Sequence, residues 1–236
     1  VAMHVDPIEK KPLFHFWPGS RAFSIAAPGC NLHCIFCQNW DISQIIQLPP
    51  WEIEPEKIVE MAIENQAEGI AYTYSEPTVF FEFAYDTARI AKKENLYNVW
   101  ISNGMINPEP IKKISKFIDA ANIDLKAFSD RFYREICGGV GLEPILKAIK
   151  EFHKRKVWIE LTTLLIPGEN DSEEEIRKIV EWVSKLDKGI PLHFSRFHPS
   201  YKMLNKPITP VETIEKAIEI AKEKLEYVYA GNVWGH

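Results

Sequence analysis

Residues 70–104 read IAYTYSEPTVFFEFAYDTARIAKKENLYNVWISNG. An apolar run over Ile70–Tyr74 gives way to a segment of helical period from about Thr78 to Lys93, and a β-branched and aromatic run returns at Tyr97–Ile101. In the middle segment Phe80, Phe83, Ala84, Thr87, Ala88 and Ala91 recur at the spacing that lines one helix face. Strand, helix, strand is a βαβ unit, and it predicts parallel strands joined by a right-handed crossover.

The same alternation extends in both directions. Upstream lie a run at Ala22–Ala27, ended by Pro28–Gly29, and a helix over Pro55–Glu68 with Pro at its start and Gly69 as its C-cap. Downstream come helix Pro108–Phe117, strand Ala121–Leu125, and a helical region from Ser129 to about His153 that Gly138, Gly139 and Gly141 interrupt. Strand Val157–Leu165 precedes a helix opened by Ser172 and Glu175 as a capping box. Strand Pro191–Phe197, a last helix capped by Thr209 and Glu212, and a closing strand at Leu225–Ala230 complete the series. Six or seven β-then-α units imply an α/β fold, and the length favours a partial (β/α)6 TIM-like barrel over a full eight-unit one. A doubly wound open sheet is the competing topology. Either one puts ligands at the carboxyl ends of its strands. Residues 1–20 show no clear unit and read as an N-terminal extension, with residues 21–236 forming one core domain.

Hydrophobic residues make up 46% of the chain and charged residues 26%, ordinary values for a globular protein. The net charge of -5 gives no electrostatic reason for a nucleic-acid partner. No apolar stretch approaches the length of a membrane span, so no membrane partner is expected and the cytoplasm is the default compartment. The chain begins with Val1, which suggests a trimmed piece of a longer protein.

Three of the four cysteines crowd into one loop after the first run, as Cys30-x3-Cys34-x2-Cys37; Cys137 lies far away beside Gly138 and Gly139. Closely spaced thiolates are the usual ligands of iron–sulfur clusters, and three of them leave one iron open to another ligand. Structural zinc favours paired Cys-x2-Cys knuckles, and no second pair exists here. Spacing alone still leaves zinc open, with His33 inside the motif, and it leaves unmetallated buried thiols open as well.

The motif, with aromatic Phe36 just before its last Cys, resembles the radical S-adenosylmethionine (SAM) superfamily. The resemblance implies that Cys30, Cys34 and Cys37 hold a [4Fe–4S] cluster, that SAM chelates the open iron, and that Phe36 contacts the adenine. It extends to Tyr72-Thr-Tyr-Ser75-Glu76-Pro77, where the family usually carries a Gly-Gly-Glu segment for the SAM amino group. Here Tyr74 and Ser75 replace the glycines. Glu76, Thr73 and Ser75 are then the expected contacts, although Glu76-Pro77 alone also reads as a helix start. By the same resemblance Ser102 and Asn103 lie near the ribose or methionine part of SAM, Asp124 and Lys126 hold its polar groups, and Ile166 packs on the adenine. His193, Arg196 and His198 end the sixth strand and are candidate substrate contacts, with no carboxylate partner evident beside the histidines. Taken alone, an Asn-Gly pair is an ordinary turn and Asp-x-Lys an ordinary strand end.

The phrases APGCNLHCIFCQN, AYTYSEPT, SNGM, NIDLKAFSD and HFSRFHPS are together similar to one branch, from about Phe14 to Gly231. That branch comprises the pyruvate formate-lyase activating enzyme homologues, or AmmeMemoRadiSam-system radical SAM enzymes. Its members commonly carry extra N-terminal sequence and a Cys-containing tail. The resemblance implies reductive SAM cleavage to a 5′-deoxyadenosyl radical and hydrogen abstraction, fed by a low-potential electron donor. The substrate could be a glycyl Cα–H of a partner enzyme, as in the activating enzymes. Radical modification or methylation of another protein or small molecule is the alternative, and a non-catalytic iron–sulfur or zinc module is the alternative from another class.

Overall fold

The structure, a computed structural model, describes residues 2–48 and 52–233. Among these residues the strands are β1 (Ala2–Pro7), β2 (Arg21–Ala26), β3 (Gly69–Tyr72), β4 (Tyr97–Ser102), β5 (Ala120–Asp124), β6 (Trp158–Leu165), β7 (Leu192–Arg196) and β8 (Val228–Gly231). The helices are α1 (Trp40–Ser43), α2 (Pro55–Glu64), α3 (Phe81–Lys93), α4 (Pro108–Ile114), α5 (Glu143–Lys154), α6 (Glu173–Leu186) and α7 (Val211–Lys222). Within each of two compact units, neighbouring strands pair in chain order. From β2 to β7 each is followed by a helix, which gives the six β/α units expected. The fold is α/β, and its contacts divide it into two compact units.

The first unit comprises residues 1–31, 39–123 and 147–159. Within it β2, β3 and β4 pair in parallel, and β4 pairs in parallel with the start of β5. The sequence reading assigned no element to the first twenty residues, yet β1 pairs antiparallel with β2 along its whole length. The alternation of β1 is confined to Met3-His4-Val5-Asp6, a four-residue pattern at the lower limit of a strand signal, and Pro7 ends it. The segment after β1 brings Ile8 and Leu13 onto Ala22, Ala71, Val99 and Ala120, a fully buried apolar cluster, with the ring of Tyr97 beside them.

Gly69 is not the cap of α2, which ends at Glu64; Gln66 takes the left-handed conformation there. Gly69 opens β3 opposite Tyr97, and a Cβ at this position would fall inside the Tyr97 ring. That ring is held from three sides. Its hydroxyl pairs with Ser20 Oγ at 3.0 Å, and the rings of Phe16 and Trp17 meet it edge-on. Gly69→Val must therefore displace a fixed aromatic, and it should cost about 1–3 kcal/mol of unfolding free energy. A urea midpoint equal to that of the wild type would contradict this packing.

The second unit comprises residues 32–38, 124–146 and 160–236. Here β6, β7 and β8 run parallel. Ser172 caps α6 as expected, accepting from the backbone N–H of Glu175 at 3.2 Å. The other half of the capping box is not made, because the Glu175 carboxylate accepts from the Phe128 N–H instead. Thr209 is not a helix cap. Its hydroxyl donates to the Leu165 carbonyl at 2.6 Å and accepts from Phe197 N–H at 3.1 Å, tying the ends of β6 and β7 together. Among the described residues no helix is long and apolar enough to cross a membrane.

Candidate functional site

In the first unit, three neighbouring strand ends meet in one polar network. The chain leaves β3 through Thr73, whose N–H donates to the Ile25 carbonyl at 3.0 Å. It then turns at Tyr74 and Ser75; Ser75 Oγ donates to the Ala27 carbonyl at 2.6 Å, just past β2. Glu76 follows and is only 1% exposed. Its Oε1 accepts from Thr78 N–H at 3.1 Å, Thr78 Oγ1 at 2.6 Å and Ser102 Oγ at 2.8 Å, while Oε2 accepts from Asn103 N–H at 2.8 Å. Burial pushes the Glu76 carboxyl above the ordinary carboxylate value, against the pull of these donors.

Asn103 carries the network to the cysteine loop. Its Nδ2 donates to Cys30 Sγ at 3.5 Å and to Asn31 Oδ1 at 2.9 Å, while its Oδ1 accepts from Met105 N–H at 2.8 Å. Asn31 in turn donates to the Met105 carbonyl at 2.6 Å. Asn31 was not singled out from the sequence. Its place directly after Cys30, in a loop next to a strand end, was the available signal.

In the second unit the remainder of the cysteine loop is pinned by backbone bonds. His33 N–H donates to the Cys137 carbonyl at 2.8 Å, Ile35 N–H to Ile136 at 3.0 Å, and Ser200 Oγ to the Cys37 carbonyl at 3.1 Å. Cys137 follows a π-helical turn over Phe132–Ile136. Phe36 is buried against Phe132, with ring centroids 5.9 Å apart, and the Lys126 ammonium lies 6.0 Å from its ring. Lys126 donates to Asp124 Oδ2 at 2.6 Å, its N–H meets Tyr133 Oη at 3.0 Å, and its carbonyl accepts from Asn170 Nδ2 at 2.6 Å. Burial alone would lower the Lys126 ammonium. Asp124 and the nearby sulfurs outweigh it and hold Lys126 above the usual lysine range.

Among the described residues no disulfide joins any of the four cysteines. Among the described residues no three His, Cys, Asp or Glu side chains are gathered as a metal-ligand group. A hydrogen bond from the Cys137 thiol pulls the Cys34 thiol below its ordinary value against burial, with the Lys126 charge adding to the effect. Three cysteine sulfurs closely spaced in one loop, at Cys30, Cys34 and Cys37, are the donor chemistry that an iron–sulfur cluster takes.

The remaining candidates divide. Ile166 is fully buried, and its N–H donates to Asn170 Oδ1 at 2.7 Å. Arg196 Nε donates to the Thr209 carbonyl at 2.6 Å, and His198 is half-buried. His193 does have a carboxylate partner: its Nε2 lies 2.8 Å from Glu160 Oε2, both side chains are buried, and Tyr229 packs on the imidazole at 5.3 Å. Glu160 and His193 stand 33 residues apart, so only the sheet register brings them together.

The model of the radical SAM superfamily matches residues 24–183, which span β2 to α6. The chain belongs to the radical SAM superfamily. An uncharacterized protein of Methanocaldococcus jannaschii is 48% identical to this radical SAM chain over its full length, and the chain spans 71% of that relative. A second M. jannaschii relative is 28% identical, and the chain spans 62% of it. Pyruvate formate-lyase-activating enzyme of Staphylococcus epidermidis is 25% identical, with 89% of each chain covered. Among solved structures, Streptococcus suis SuiB bound to S-adenosylmethionine shares the fold with a TM-score of 0.70 at 14% identity, over 89% of this chain and 49% of that one. The radical SAM family implies a [4Fe–4S] cluster and SAM as cofactors.

Proposed function

We propose that Cys30, Cys34 and Cys37 hold a [4Fe–4S] cluster and that the strand-end residues bind SAM for hydrogen-atom abstraction. The observation that carries this reading is the network Glu76–Asn103–Cys30, in which the backbone N–H of one residue meets a buried carboxylate and its side-chain amide meets a cysteine sulfur. When bound, the cofactors supply an electron to cleave the sulfonium and a 5′-deoxyadenosyl radical to abstract hydrogen. The chain's own work is to bind and orient. Three thiolates hold the cluster, Glu76 offers Oε2 to an ammonium, and Ser75, Ser102 and Asn103 hold Glu76 and the cysteine loop in register. Thr73, Phe36, Asp124, Lys126 and Ile166 complete the proposed SAM surroundings, and His193, Arg196 and His198 the proposed substrate side.

The likeness to an activating enzyme favours a protein substrate with a glycyl Cα–H that loses a hydrogen atom, while a low-potential electron donor reduces the cluster. Incubation of the reduced, reconstituted protein with SAM should yield methionine and 5′-deoxyadenosine. S-adenosylhomocysteine as the product would favour methyl transfer instead. Neither product, with zinc in place of iron, would leave a non-catalytic metal module.

The Asn103 amide also carries a redox prediction. A hydrogen bond to a cluster thiolate stabilises the added electron and raises the potential. Asn103→Ala should therefore move the cluster to a more negative reduction potential in an anaerobic titration. An unmoved potential would show that the amide does not act on the cysteine sulfur.

A further inference from the structure

The turn that presents Ser75 and Glu76 is entered through a residue in an unusual conformation. Tyr74 has φ 64°, the left-handed region that a side chain with a Cβ disfavours. Such a conformation persists only where the surroundings over-determine it. Here the surroundings come from the N-terminal segment. Asp6, at 5% exposure on β1, accepts the Tyr74 hydroxyl on Oδ2. The same oxygen takes Lys11 Nζ at 2.8 Å, and Oδ1 takes Lys10 Nζ at 2.7 Å. Lys11 is 2% exposed, and its ammonium stands 4.2 Å from the centre of the Tyr74 ring. His4 meets the ring edge-on at 6.0 Å, and Asn39 Nδ2 holds the Tyr74 carbonyl at 2.7 Å.

A buried ion pair is a poor way to add stability, since desolvation offsets its attraction, but it can fix one arrangement over others. This pair closes on a single ring, and that ring belongs to the residue whose backbone aims the turn. Tyr74 also stands where the resemblance places a glycine, so the strained φ keeps a glycine-like path with a tyrosine in it. We propose that Asp6 and Lys11 clasp Tyr74 in the left-handed conformation and so hold the Ser75–Glu76 turn in its SAM-binding position. Tyr74 is thus a positioning residue for the cofactor, and β1 is part of the cofactor site's support. The proposal rests on the reading that this turn meets SAM.

The test uses the reconstituted chain and three variants, with SAM affinity read from the SAM-induced change in the reduced cluster's paramagnetic spectrum and iron content measured alongside. Tyr74→Ala keeps the cost of a positive φ but loses the clasp that meets it, so the turn relaxes and SAM affinity should fall about tenfold with iron content unchanged. Tyr74→Gly adopts the same φ without strain and should recover most of that loss. Tyr74→Phe, which keeps the ring for Lys11 and loses only the bond to Asp6, should lie between wild type and Tyr74→Ala. It serves if Tyr74→Ala does not fold. Wild-type affinity in both Tyr74→Ala and Tyr74→Phe would overturn the clasp, as would Tyr74→Gly binding no better than Tyr74→Ala. A wild-type protein that holds iron but ignores SAM would overturn the underlying reading instead.

Discussion

Cys34→Ala is expected to abolish cluster binding, with iron content and visible absorbance falling to background after anaerobic reconstitution. Removing one of three thiolates leaves two, too few to hold a cluster whose fourth iron is open. Cys34 is small and buried, so its truncation should leave a folded chain, with a stability loss of about 1 kcal/mol. Loss of iron therefore reports on ligation and not on unfolding. Cys137→Ser is the paired control. Cys137 is buried and braces the loop through its carbonyl, which a serine retains, so the iron content of this variant should match the wild type. A full cluster in Cys34→Ala would overturn the assignment, and iron loss in Cys137→Ser would make Cys137 a ligand.

The second large effect is expected at Glu76. Its two oxygens accept from four donors in a buried setting. Glu76→Gln puts an amide N–H₂ where one of those donors must find an acceptor. If the amide faces Asn103 N–H, that group loses its partner; if it turns the other way, Thr78 N–H does. A buried mismatch of this kind costs about 1–3 kcal/mol. The variant also loses the charge proposed for the SAM ammonium, and SAM affinity should drop at least about tenfold while iron content holds. Burial raises the Glu76 carboxyl, so folding takes up a proton at this group. Its contribution to stability is fully present below the unfolded carboxylate pKa, about 4.3, and declines as pH rises through the raised folded value. Glutamine does not titrate, so the variant's stability deficit should be widest in acid and narrow as pH rises. Unchanged SAM affinity would remove Glu76 from the cofactor site.

Most of the fold was legible because strands and helices announce themselves by local period. The run from Ile70 to Ile101 carries both periods in clean succession, and the strands and helix it predicts are present with boundaries shifted by a few residues. The cysteine loop and Glu76-Pro77 were legible because their chemistry is written in adjacent residues. What escaped depends on distance along the chain or on the backbone. β1 has only the four-residue alternation Met3–Asp6 to read, and its meaning lies in a partner strand and in Tyr74. Glu160 finds His193 only through strand register. Thr209 looked like a helix cap because Thr-Pro-x-Glu precedes a helix, but its hydroxyl bonds strand ends instead. The left-handed backbone at Tyr74 could not be read at all, since tyrosine is a poor sign of positive φ.

The measurement that tests the account most directly is the paramagnetic spectrum of the anaerobically reconstituted, reduced protein, recorded with and without SAM. The account predicts iron and sulfide in the protein, a reduced [4Fe–4S] signal, and a clear change in that signal when SAM is added. A signal indifferent to SAM, or a protein that takes up zinc and no iron, would contradict it.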